Sequence, residues 1–313
     1  MKVCSLLCRC AGLAVAGGAV LATAIQQPWS DGVTPSLTLP PTPSLPPSYS
    51  TGRVTTHDGS SIWYGLFGDP GWTARPMVTF LHGGFGNSDY WGLQISHLVT
   101  AGFRCLAIDS RGHGRSVEAE GGITYDMMTH DVLAVWRKLG VTISSVVGWS
   151  DGGVIGLDLV MNQTETDSHP TSRPRVDKLF AFGASYSPAN INTTINDNAV
   201  FSTYLNRTQS EFRNLNPRPT HLAEFEQKMN NMWNTLPAWS EESFQRIVPY
   251  PQGPLVWIVD GADEEAVNRT TPGEMSSWLP NSGLTILPSV SHFAFMQDPQ
   301  TFNTVLRRFL EYP

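Results

Sequence analysis

Cationic charge is scarce in this 313-residue chain: 20 Lys and Arg stand against 27 Asp and Glu, a formal net charge of -7. No broad basic surface is available to neutralise phosphates, so no nucleic-acid partner is expected. Cysteine is scarcer still, at 4, and Cys4, Cys8 and Cys10 all fall within the N-terminal segment. If that segment is removed, Cys105 is left alone and no internal disulfide can form. Cys105 lies in the apolar stretch Phe103-Arg104-Cys105-Leu106-Ala107-Ile108, where a buried inert thiol is expected rather than a nucleophile. No period of roughly 20 to 50 residues is visible and the 23 prolines cluster rather than recur, which argues against repeat and collagen-like architectures. What is present, 41% hydrophobic and 10% aromatic with 15% charged content, suits one globular domain of generous size.

The N-terminus reads as a targeting segment. Lys2 and Arg9 precede an apolar run from Ala11 to Ala22, and Ala22-Thr23-Ala24 offers small residues at both positions a signal peptidase reads. Residues 1–24 are therefore expected to be a secretory signal cleaved near Ala24. The competing reading is an uncleaved membrane anchor, since Leu6 to Ile25 nearly spans a bilayer, although Arg9 and several glycines weaken it. In that case the three N-terminal cysteines become acylation candidates beside a membrane. Four sequons, at Asn162, Asn192, Asn206 and Asn268, are consistent with secretion and make those asparagines glycosylation candidates. Residues 25–51 are expected to form a linker, because Pro28 to Pro47 is rich in Pro, Ser and Thr and has no hydrophobic periodicity. The folded domain is expected over 52–313, starting near Gly52.

Beyond the linker, short apolar runs alternate with amphipathic stretches. Strands are expected at Ser61 to Phe67, Met77 to Leu81, Cys105 to Ile108, Ser145 to Val147, Leu179 to Phe182, Leu255 to Val259 and Leu284 to Leu287. Most are continuous apolar runs, as in strands covered on both faces. Met128, Val132, Val135, Trp136 and Leu139 recur at helical spacing, with Thr124 as N-cap and Asp126 in the first turn. The expected fold class is α/β, a doubly wound, mostly parallel sheet. The alternation breaks over residues 185–248, read as a small, mainly helical cap with a helix around Leu222 to Trp233; a structureless loop of that length is uncommon.

The chemistry concentrates at strand ends. Gly148-Trp149-Ser150-Asp151-Gly152 fits the nucleophile-elbow pattern, and its context fits too, with the strand Ser144-Ser145-Val146-Val147 before it and an apolar helix from Gly153 to Val160 after it. Small residues at 148 and 152 leave room for the strained turn. Serine needs a base to act as a nucleophile. His292, in Val290-Ser291-His292-Phe293-Ala294 just past the last strand, has the right chain order. The acid that orients such a base should lie in Asp260-Gly261-Ala262-Asp263-Glu264-Glu265, after the strand Leu255 to Val259. Glu264 is favoured, with Asp263 as the alternative, because the acid must reach back from the loop; the remaining carboxylates are read as solvated surface. His82-Gly83-Gly84-Phe85-Gly86 turns tightly after the strand Met77 to Leu81, so an amide near Gly84 or Phe85, paired with that of Asp151, is the expected oxyanion hole.

Together, His82-Gly83-Gly84-Phe85-Gly86-Asn87-Ser88, Asp109-Ser110-Arg111-Gly112-His113-Gly114-Arg115-Ser116, Val147-Gly148-Trp149-Ser150-Asp151-Gly152-Gly153 and Ser291-His292-Phe293 resemble the motifs of α/β-hydrolase-fold proteins. Within that fold they look most like the small esterase-like group that contains valacyclovir hydrolase and 3-oxoadipate enol-lactonases. The resemblance runs from Gly52 to Pro313. It implies a Ser/His/acid triad without a cofactor, an acyl-enzyme intermediate and a cap that shapes the pocket. Carried over by position, it makes Ser150 the nucleophile, His292 the base and the residue three places after Gly261, Glu264, the acid, where most relatives have Asp. It also implies that Asp109 to Ser116 is a structural turn, with Asp109 and Arg111 satisfying backbone groups. Serine at 150 separates the chain from the similar haloalkane dehalogenases and epoxide hydrolases, which use Asp there.

The resulting expectation is a secreted or membrane-anchored serine hydrolase acting on a small-molecule ester, lactone or related acyl bond, with a membrane partner only if the N-terminal segment is retained. Alternatives are a tailoring or detoxifying hydrolase for one specialised metabolite, an aminopeptidase-like amidase, or a receptor that binds a ligand on the same fold without turnover. Trp233, Met229, Met232, Tyr204 and Phe201 of the cap are candidates to line an apolar pocket.

Overall fold

The computed structural model describes residues 34–163 and 174–313. The signal or anchor segment, Cys4, Cys8 and Cys10 lie outside the described residues. In chain order the regular elements are β1 (Ser50–Thr55), β2 (Ser61–Phe67), β3 (Met77–Leu81), α1 (Gly92–Thr100), β4 (Cys105–Ile108), α2 (Tyr125–Leu139), β5 (Ile143–Trp149), α3 (Asp151–Met161) and β6 (Arg175–Phe182). They continue with α4 (Ala199–Leu215), α5 (Leu222–Trp233), α6 (Glu241–Gln245), β7 (Leu255–Gly261), α7 (Thr271–Trp278), β8 (Gly283–Leu287), α8 (Ala294–Gln297) and α9 (Pro299–Leu310).

All eight strands form one sheet in the order β1-β2-β4-β3-β5-β6-β7-β8. The β1–β2 and β2–β4 pairs are antiparallel and every other pair is parallel. Strand side chains alternate between faces, so each run feeds two cores. In β3, Val78 and Phe80 enter the core under α1 and α9, while Met77 and Leu81 enter the one under α2 and α3. Each fully buried Val, Leu or Phe contributes about 1.5–3 kcal/mol to holding these layers. Helix α2 begins where its cap requires: the Thr124 hydroxyl accepts the Met127 amide at 3.2 Å, and Gly140, at φ 68°, ends it.

Two features depart from the sequence reading. The strand β1 was not expected, because its six residues carry one aliphatic side chain, Val54, and form a mostly exposed edge held by pairing with β2. The Pro-rich stretch expected to lack packing lies against the domain from Thr34 onward. The Ser36 amide donates to the Ser289 carbonyl at 3.2 Å, and Gln297 Nε2 donates to the Thr38 carbonyl at 2.8 Å. From α4, Arg207 donates to the carbonyls of Leu39 and Pro40, and Glu211 accepts the Thr42 hydroxyl. Leu39 and Leu45 pack on the core. An extended proline-rich backbone leaves its carbonyls unpaired, and side chains from α4 and α8 satisfy them. That contact depends on residues more than 150 positions away.

The excursion between β6 and β7 is helical, made of α4, α5 and α6. In α5, Leu222, Phe225, Met229 and Met232 form one buried stripe at helical spacing. Asp109 accepts the amides of Ser88 and Arg115 at 2.8 and 2.7 Å, so it serves the backbone. Arg111 reaches one backbone group, the Met127 carbonyl at 3.5 Å, but its guanidinium mainly pairs with both Asp131 oxygens at 2.7 Å and with Asp58 at 2.8 Å, tying this turn to α2. Its planar fork matches a carboxylate better than a single carbonyl.

Candidate active site

Ser150 occupies the turn between β5 and α3 at φ 53°, ψ -119°. A non-glycine residue there costs about 1–3 kcal/mol, which the surrounding structure must hold in place. It does so through the glycines on either side. A Cβ on Gly152 would lie 2.1 Å from the Leu81 carbonyl oxygen, and one on Gly148 would lie 2.2 Å from the Gly152 carbonyl oxygen. The strand, the turn and the helix therefore cross at backbone contact. The Ser150 amide donates to the Phe182 carbonyl at 2.8 Å, fixing the turn to the end of β6.

His292 follows β8, with its ring 5.8 Å from that of Trp149. Its Nδ1 stands 2.9 Å from each oxygen of Glu264. Glu264 Oε1 also accepts the amides of Ala266 and Val267 at 2.6 and 3.1 Å. The carboxylate thus anchors Nδ1–H and leaves Nε2 as the basic nitrogen. Among the described residues neither the Ser150 hydroxyl nor His292 Nε2 has a hydrogen-bond partner, and such contacts commonly tighten only when substrate binds. Asp263 points elsewhere: its side chain is 41% exposed and lies 3.6 Å from Arg269. Of the two acids considered, the structure brings Glu264 alone to the imidazole.

Asp260 and Glu265, read as solvated surface, are buried instead. Glu265 accepts the Ser291 hydroxyl at 3.0 Å and the His292 amide at 2.9 Å, while Gln297 Oε1 accepts the Ser291 amide at 2.7 Å. These contacts set the histidine loop, and composition could not find them because the loops that bury the acids are remote in sequence. Burial pushes the Glu264 carboxyl up, reinforced by the Glu265 charge and opposed by the amides of Ala266 and Val267. Burial lowers His292, and the charges of Glu265, Asp260 and Asp151 pull it back.

The turn after β3 supplies backbone donors. The Gly83 carbonyl accepts the Gly86 amide at 3.0 Å and lies 2.8 Å from His82 Nδ1, which orients the planar Gly83–Gly84 peptide with its N–H on the opposite side. The Gly84 carbonyl accepts the Tyr204 hydroxyl at 2.6 Å, holding the next peptide too. Asp151 is the first residue of α3, where an amide has no intrahelical acceptor. Its side chain has a role that the sequence did not suggest. Asp151 accepts the Tyr125 hydroxyl at 2.7 Å and Trp233 Nε1 at 3.0 Å, and a Cβ on Gly84 would lie 2.8 Å from it. Burial pushes its carboxyl up to about 6 against those two hydrogen bonds.

Of the cap residues expected to line a pocket, Met229, Met232 and Tyr204 are core. Trp233 and Phe201 are only partly buried; Trp233 meets Phe85 edge-on at 4.8 Å, and Phe201 lies 6.5 Å from His292. Asn162 and Asn206 are exposed, Asn192 is partly buried, and Asn268 donates its amide to the Ala189 carbonyl. Cys105 is buried and burial raises its thiol, so it is an inert core residue.

Gly183, at φ 62°, faces the histidine from the end of β6. A Cβ there would lie 2.8 Å from the His292 ring. Gly183→Ala is expected to cost about 1–2 kcal/mol from the left-handed backbone. It should also lower kcat/KM by roughly 10- to 100-fold, as displaced catalytic groups do. Thermal melting and steady-state kinetics on one preparation separate the two effects.

A family profile described as the alpha/beta hydrolase family matches residues 80–305, most of the described chain. The chain belongs to that family. It is 42% identical over 102 residues to the bifunctional esterase/perhydrolase DCH of Acinetobacter calcoaceticus, covering 33% of this chain and 36% of that protein. It is 40% identical over 100 residues to a non-heme haloperoxidase of Rhodococcus erythropolis, covering 32% and 35%. These alignments span about a third of either relative. The solved enol-lactonase of Burkholderia xenovorans LB400 matches with a TM-score of 0.61 at 17% identity, over 83% of this chain and 99% of that one, a likeness of fold.

Proposed function

We propose that this α/β hydrolase is a serine hydrolase that cleaves an ester, lactone or related acyl bond of a small molecule through an acyl-enzyme. The observation that carries this reading is the Glu264 carboxylate 2.9 Å from His292 Nδ1, on the same strand-end edge as Ser150 in its strained turn. Ser150 Oγ attacks the acyl carbon while His292 Nε2 takes its proton. The oxyanion is received by the amides of Gly84 and Asp151. The imidazolium, stabilised by Glu264, then gives its proton to the leaving oxygen, and water repeats the sequence to release the acid. Partly buried Phe85, Trp233 and Phe201 suit an apolar acyl portion.

Labelling with a fluorophosphonate followed by peptide mapping tests the nucleophile and its competence together. The expected result is a single adduct on Ser150. A parallel screen over p-nitrophenyl esters, lactones and aminoacyl amides separates ester, lactone and amide hydrolysis, with turnover expected on one of the first two. A folded protein that takes no label and turns over none of these would overturn the proposal. The proposal extends to location: the charged, apolar and small-residue pattern over residues 1–24, with four sequons, supports an enzyme exported or held at a membrane.

A further inference from the structure

Gly84 and Asp151, whose amides are assigned to the oxyanion, are both tied to the cap. Among the described residues neither amide has an acceptor, so both remain available as donors. Gly84 has no side chain to restrain its dihedrals. The peptide before it is fixed within its own turn, where the Gly83 carbonyl meets the Gly86 amide and His82. The peptide after it is held from outside: the Gly84 carbonyl has one donor among the described residues, the Tyr204 hydroxyl of α4 at 2.6 Å. Tyr204 is itself locked, 2% exposed, with its ring 5.6 Å from that of Trp149 and 5.0 Å from that of Phe293, the neighbours of Ser150 and His292. From α5, Trp233 Nε1 donates to the Asp151 carboxylate at 3.0 Å, and a Cβ on Gly84 would overlap Trp233 Cζ2. One indole therefore touches the first oxyanion residue and bonds to the second.

We propose that Tyr204 and Trp233 are positioning residues through which the cap sets the oxyanion hole, so that the donors at Gly84 and Asp151 are in place only while α4 and α5 are seated. The inference rests on the serine-hydrolase reading and gives the cap a task beyond shaping the pocket. Each side chain has its one polar hydrogen engaged, by the Gly84 carbonyl or the Asp151 carboxylate. The backbone is thus the route by which each acts on the reaction. A cap displaced to admit substrate would release the Gly84–Phe85 peptide, and reseating it would restore the donors as water is excluded. The two ties are unequal. Tyr125 of α2 also holds Asp151, at 2.7 Å, whereas Gly84 has Tyr204 alone.

The test has two arms, the first independent of activity. Gly-Phe occurs in this chain only at 84–85 and 102–103, so protein carrying 13C-carbonyl glycine and 15N-phenylalanine gives two carbonyl–amide correlations in nuclear magnetic resonance spectra. Tyr204→Phe removes the hydroxyl and keeps the ring. It is expected to shift the Gly84 carbonyl resonance to lower frequency and to leave the Gly102–Phe103 correlation in place. A Gly84 signal that does not move in folded Tyr204→Phe overturns the tie between the cap and the turn.

The second arm reads the oxyanion hole itself. Removing one donor outright costs on the order of 100- to 1000-fold, and a donor merely displaced should cost less, so Tyr204→Phe should lower kcat on the order of tenfold at unchanged KM. An acyl-enzyme is then formed from a slowly hydrolysed p-nitrophenyl ester with a 13C acyl carbonyl. Its infrared carbonyl band should move to higher wavenumber in Tyr204→Phe, because the oxygen is less strongly hydrogen-bonded. Trp233→Phe keeps a ring and loses the indole N–H; it should move the band the same way by less, and it carries this arm if Tyr204→Phe does not fold. A purely structural role would lower the melting temperature and leave the band where it is. That result, or a loss in Tyr204→Phe confined to KM, overturns the proposal. If the unsubstituted protein forms no acyl-enzyme, the serine-hydrolase reading fails, while the carbonyl–amide correlations still decide whether the cap holds the Gly84 turn.

Discussion

Replacing Ser150 with alanine should lower kcat by on the order of 10^6-fold while the melting temperature stays within a few degrees. The size follows from the unit the residue belongs to. Without the hydroxyl there is no bond for His292 to activate, so only binding and the backbone donors at Gly84 and Asp151 continue to act. Stability should barely move, because alanine and serine both place a Cβ at φ 53° and the strain of the turn is unchanged. His292→Ala should cost about as much, and the double substitution no more than either alone, since the two residues serve one step. Kinetics on the best substrate from the screen, with fluorophosphonate labelling, checks this. Labelling that survives in Ser150→Ala would show that another residue is the nucleophile.

Glu264→Gln should lower kcat by roughly 10^4-fold, by analogy with the amide replacement of a triad acid. Glutamine keeps the length and volume of the side chain, but its NH2 can face Nδ1. The imidazole would then carry its proton on Nε2, where the serine proton must go. The charge that stabilises the imidazolium is lost as well. Asp263→Asn is the matched control and should stay within about twofold, because that side chain is exposed and its partner is the exposed Arg269. Measured side by side, the pair assigns the acid. A large loss confined to Asp263→Asn would transfer the role to Asp263 and leave the rest of the mechanism standing.

Much of the candidate site was legible because its signals are local. The elbow is five consecutive residues whose glycines answer to contacts of 2.1 and 2.2 Å, and no larger side chain fits those two positions. The limits of α5 were equally plain, since an apolar stripe at helical spacing needs no remote partner to be recognised. Choosing between Glu264 and Asp263 was harder. Adjacent carboxylates look alike in sequence, and what separates them is which one the Gly261 turn aims inward.

By itself the sequence determined seven of the eight strands, the α/β class, the serine in its turn and the histidine after the last strand, all through patterns carried by neighbouring residues. Tertiary structure decided the rest. It buried Asp260 and Glu265, gave Asp151 the partners Tyr125 and Trp233, directed Arg111 to Asp58 and Asp131, and laid the proline-rich segment against α4 and α8. The reason is common to all four: whether a polar group is solvated or paired depends on what the fold brings against it, and those groups come from far along the chain.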